Sequence, residues 1–184
     1  MSTEPWQRYD EAWRALCGLR PLDHPTFASV SRVWRAEMHP AFHDDVAVTV
    51  LDIDAGGWIE LRVMPAAARN WAMAAAGLAP VVHGDAPVAR VWEETVSSDA
   101  IDALVAALPR LPLPSAPATG RDGMTVFHET LTDGVIQRVS SWSPTPSRAP
   151  SHFAFVAALF TLATKRIADP AAQSAIQSLG AYLR

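Results

Sequence analysis

The chain has 184 residues, a formal net charge of −4, and a composition that is 49% hydrophobic and 18% charged. That length suits one domain of about 100–200 residues, the apolar share is too high for disorder, and the interspersed charge argues against a membrane protein. Without a basic excess, nucleic acid is disfavoured as a general partner, and the single cysteine, Cys17, excludes an internal disulfide.

The first residues include Glu4, Asp10 and Glu11 with no apolar run, so no secretory signal is expected and the cytoplasm is the expected compartment. Trp6, Tyr9, Trp13, Leu16 and Cys17 recur at helical spacing, which predicts a helix over Pro5 to Leu19 with Thr3 as its cap. Gly18, Pro21 and Pro25 end it. Four stretches of strand length follow: Arg32 to His39, Val46 to Ile53, Trp58 to Met64 and Val88 to Thr95. Asp54-Ala55-Gly56-Gly57 is too short for a parallel crossover, so the second and third strands are predicted to form a hairpin. The alanine-rich Pro65 to Pro80 fits either a short helix around Trp71 or an ordered loop.

Ser97 or Ser98 can cap a helix whose Ile101, Leu104, Val105 and Leu108 share one face. Pro109, Pro112, Pro114 and Pro117 predict an extended connector, closed by the turn Gly120-Arg121-Asp122-Gly123. Asp133-Gly134 between Met124 to Leu131 and Val135 to Trp142 is a hairpin signal. The most apolar stretch, Phe153 to Ala163, is shorter than the about 20 residues of a bilayer span and reads as part of a buried helix from about Ser151 to Arg166. Asp169-Pro170 opens a last helix with Ile176, Leu179 and Leu183. The sum is a single α+β domain over residues 1–184, expected as a twisted antiparallel sheet of about six strands with helices packed on one face.

Arg32-Val33-Trp34, Phe42-His43, the Gly120-Arg121-Asp122-Gly123 turn and Trp142-Ser143-Pro144 before an apolar helix form a pattern. It resembles a loose group of bacterial proteins of unknown function that share a G-x-D-G turn, a W-S-P hairpin exit and an early strand ending near F-H. The resemblance runs over roughly Arg32 to Ala163 and implies the order of elements, with no activity attached.

Chemistry-bearing residues are few. His39 and His43 flank Pro40, which opposes the helix needed to bring a His-x3-His pair onto one face, so His39, His43, Asp44 and Asp45 read as a polar loop and no metal is expected. Glu93-Glu94 and His128-Glu129 are adjacent on strands and point to opposite faces. Cys17 lies on an apolar helix stripe, as a small buried hydrophobe would. No nucleophile elbow, phosphate loop or dinucleotide fingerprint occurs, so no catalytic residue and no cofactor is assigned. Trp58 alternates in phase with Glu60 and Arg62, and Trp92 with Arg90 and Glu94; aromatic anchors among charges have the composition of an interaction surface.

These six residues are therefore the candidate partner-binding set. The reading they favour is a non-enzymatic protein that binds another protein, as an immunity or antitoxin-type inhibitor of a bacterial toxin. The alternative is an enzyme or small-ligand protein with a pocket between sheet and helices, using His43, Asp45, His128 or Glu129.

Overall fold

The computed structural model describes residues 4–54, 56–109 and 122–183. The expected cap at Thr3, the connector prolines 112, 114 and 117, and Gly120-Arg121 of the predicted turn lie outside them. In chain order come α1 (Glu4–Cys17), β1 (Arg32–Pro40), β2 (Asp45–Ile53), β3 (Gly56–Met64), α2 (Ala68–Ala75), β4 (Arg90–Val96), α3 (Ser98–Ala107), β5 (Met124–Thr132), β6 (Val135–Trp142), α4 (Pro150–Arg166) and α5 (Pro170–Leu179). The open alanine-rich segment resolves as helix α2. No helix among the described residues is long and apolar enough to cross a membrane.

The strands form one six-stranded sheet in the order β4-β3-β2-β1-β5-β6, antiparallel throughout. Both predicted hairpins are present. Asp133 and Gly134 have φ of 51° and 75° between the paired Thr132 and Val135, the left-handed pair that suits strand twist. At the other hairpin Gly57 is obligatory on space. A Cβ there would lie 2.5 Å from the Ile101 side chain of α3 and 2.7 Å from the Leu51 carbonyl.

Period-two alternation divides the side chains between two faces. On the first face Trp34, Ala36 and Met38 of β1, Val46, Val48 and Val50 of β2, and Ile59, Leu61 and Val63 of β3 bury against Ile101 and Leu104 of α3, Phe155 and Leu159 of α4, and Ile176 and Leu179 of α5. On the second face Ala47 and Met64 meet Trp13 and Cys17 of α1 and Ala68 and Ala72 of α2. Farther along that face Val33 and Leu131 pack on Leu22 and Phe27. The fold class and sheet are as expected. The three later helices share one face, and α1 and α2 add a partial layer on the other, because Trp13 and Cys17 give α1 an apolar stripe of its own.

Candidate functional site

Strand β1 carries Val33, Arg35, Glu37 and His39 on the second face, so the polar residues of a central strand point beneath α1. The pairing continues the polarity sideways. Glu93, Glu60, Thr49, Arg35, Glu129 and Arg138 stand opposite one another in a single row from β4 to β6.

Under α1 the row is sealed by ion pairs. Arg14 Nη2 donates to Glu37 Oε1 at 2.7 Å and to Glu129 Oε1, Arg35 Nη1 donates to Glu129 Oε2 at 3.2 Å, and Arg138 Nε lies 3.3 Å from Glu129 Oε1. Arg138 also clasps Asp10 of α1 with bonds of 2.8 and 3.0 Å. Burial resists ionisation of Asp10, but the hydrogen bond and charge of Arg138 outweigh it and hold the carboxyl below the ordinary range. Glu37 moves the other way. Burial and then the neighbouring Glu129 charge raise it, and its Oε2 has no hydrogen-bond partner among the described residues.

Beyond the edge of α1 the row opens into a cavity of about 310 Å³, within the about 300–1,000 Å³ typical of small-molecule pockets. Its floor is Arg35, Thr49, Leu51, Trp58 and Glu60, and its walls are Leu19, Arg20, Thr26, Phe27, Arg62 and Glu93. Arg62 holds both Glu60 oxygens at 2.7 and 2.6 Å and donates from Nη1 to the Cys17 carbonyl at 2.8 Å. This reach depends on Gly18, which ends α1 at φ 66° and whose Cβ would sit 2.8 Å from that nitrogen. Arg35, 2% exposed, donates from Nε to Thr49 Oγ1 at 3.1 Å and from Nη1 to the Arg20 carbonyl at 2.9 Å. No described residue accepts a hydrogen bond from its Nη2. Arg20 donates to Thr26 Oγ1 and, among the described residues, pairs with no carboxylate.

Of the six expected partner-binding residues, Trp58, Glu60 and Arg62 line this cavity. Arg90, Trp92 and Glu94 do not join them: they stand opposite Val63, Leu61 and Ile59 and so share the first face. The single mixed surface of Trp58 and Trp92 is thereby corrected. Trp92 packs on the edge of the main core, Arg90 lies over it at 5.7 Å and within 3.4 Å of Asp44, and Glu94 is exposed.

The four residues of the alternative reading are also dispersed. His43 contacts the Tyr182 hydroxyl at 2.8 Å near the surface. Asp45 is buried beneath α1 and α2, taking bonds from Trp13 Nε1 at 2.8 Å and from Arg69 at 2.6 Å; burial resists its ionisation, but His39 and Arg69 hold its carboxyl below the ordinary range. His128 is on the first face, stacked on His152 at 4.8 Å with Nε2 2.9 Å from Ser141 Oγ. Glu129 is on the second. Among the described residues no three His, Cys, Asp or Glu side chains group to hold a metal. Cys17 is buried as expected, and burial pushes its thiol up.

Sequence reasoning missed Arg20, Thr26, Phe27, Arg35 and Thr49. The signal available was the alternation in β1, where Arg35 and Glu37 share a parity that an apolar-faced central strand would not carry. Comparison of the chain with protein families, with curated proteins and with solved structures finds no match.

Proposed function

We propose that the chain is a non-enzymatic protein-binding protein that docks its partner over the open end of the second sheet face, around Trp58, Glu60, Arg62 and Glu93, and acts as an immunity or antitoxin-type inhibitor of a bacterial toxin. One observation carries the reading. α1 and α2 roof one part of the second face, but from Arg35 of β1 through Thr49 and Glu60 to Glu93 of the edge strand β4 it is left as a cavity in which a half-buried tryptophan, Trp58, sits among charges. Aromatic and arginine side chains at the centre of a concave patch are the usual anchors of interfaces. Glu60 is tied to Arg62 and Arg35 to Glu129 in ion pairs, so these groups supply charge for recognition and no converging acid and base.

The test is co-purification from the native organism with the tagged wild-type chain and with Trp58→Ala and Glu93→Arg. A stoichiometric partner retained by wild type and lost by both folded variants, whose toxicity on expression is relieved by the wild-type chain, is the expected result. A partner held equally by the variants, or none at any expression level, overturns it.

A further inference from the structure

The polar groups of the cavity differ from end to end. At the outer rim Glu93 stands opposite Glu60 across the β3–β4 ladder, and both Glu60 oxygens are taken by Arg62. At the inner end the groups without an acceptor among the described residues are donors: Arg35 Nη2 and the nitrogens of Arg20 other than the Nη1 that donates to Thr26 Oγ1, beside the hydroxyls of Thr26 and Thr49. Alongside this row stand Leu51 and Trp58, paired with each other two residues along the strands, and Phe27 completes the apolar side of the lining. Arg35 is only 2% exposed, and its Nε and Nη1 are engaged by the protein; Nη2, which has no acceptor among the described residues, is the part of this guanidinium that opens onto the cavity, where a charged donor bonds most strongly to an anion.

The geometry points to a carboxylate as what completes it. Resting on the reading of this cavity as the recognition site, we infer that the cavity takes a carboxylate joined to an apolar or aromatic body: the oxygens go to Arg35 Nη2 and the Arg20 head, and the body lies against Trp58 and Phe27. A single negative charge fits, because Glu60, Glu93 and Glu129 stand in the same row and oppose a dianion such as a phosphate monoester. A guanidinium also matches a carboxylate in plane and hydrogen-bond direction. The carboxylate belongs either to a side chain or terminus of a bound partner or to a free organic acid; the chemistry is shared.

The probes are phenylacetate, its neutral isostere phenylacetamide, and phenyl phosphate, each followed by saturation-transfer NMR and by the shift in melting temperature. Phenylacetate is expected to bind, the amide and the phosphate at least about tenfold more weakly, which is the loss of one charge-assisted hydrogen bond. Arg20→Ala, at an exposed position that leaves the Arg35 bond to its carbonyl intact, is expected to weaken phenylacetate about tenfold, and Trp58→Ala likewise. Equal binding of acid and amide, no binding of the acid, or binding indifferent to both variants overturns the inference. With a co-purified partner in hand, displacement by phenylacetate assigns the carboxylate to the partner, and binding without displacement assigns it to a free acid. A partner lost from Trp58→Ala while wild type ignores phenylacetate removes the carboxylate and leaves the docking face standing.

Discussion

Individual side chains in this protein are legible through their burial. His128 is fully buried, and burial first and His152 second lower its pKa from 6.5 to about 3; burial lowers His152 as well. The unfolded chain therefore takes up a proton near pH 6.5 that the native state refuses until about pH 3, and stability falls as pH drops through that window. The slope for His128 alone approaches about 1.4 kcal/mol per pH unit. Urea unfolding at pH 7 and pH 5 is expected to show this loss in the wild type and a clearly smaller one in His128→Leu. The two buried glutamates differ in their pairing. Glu37 already resists ionisation and has an oxygen with no hydrogen-bond partner, so Glu37→Gln is expected to cost under about 1 kcal/mol. Glu129 faces Arg14, Arg35 and Arg138, and Glu129→Gln, which leaves buried guanidinium groups without their counter-charge, is expected to cost about 3 kcal/mol in the same assay.

At the scale of elements, local chemistry placed the hairpins and helices, and tertiary packing decided the rest. Asp133-Gly134 and Asp169-Pro170 carry their own instructions: a left-handed turn, and a cap whose Asp169 carboxylate accepts from the amides of Ala171 and Ala172. α2 carries none, since Ala67 offers no side-chain cap, and it is settled by Ala68 and Ala72 lying close against α1. The face of β4 was unreadable because residues 65–89 between β3 and β4 set the register, and a shift of one residue exchanges Trp92 for Glu93 on the cavity side. Gly57 shows how closely α3 approaches the sheet. Gly57→Ala is expected to lower stability by about 2 kcal/mol, read by thermal unfolding, because neither the Leu51 carbonyl nor the packed Ile101 has room to retreat.

For the molecule as a whole, the two sheet faces have divided roles. The first is an apolar core under three helices; the second joins a sealed ionic layer beneath α1 to an open cavity. Two tryptophans on neighbouring strands accordingly respond differently. Trp92→Ala is expected to cost about 2 kcal/mol in unfolding experiments with partner capture intact, whereas Trp58→Ala is expected to abolish capture at a smaller cost in stability. The antiparallel order of the early strands could be read from short connections, but the placement of β5 beside β1 could not, because no local signal links Arg32 to Thr132.

That placement governs how the molecule must be assembled. β1 is bordered by β2 on one side and on the other by β5, a strand made only after the meander through β4 and α3 is complete. During synthesis the amides of β1, and the arginines that later meet Glu129, wait along an open seam that nothing encoded earlier can close. Such a seam is the natural place for strand exchange between two nascent copies, and closing it is a slow, long-range step in folding.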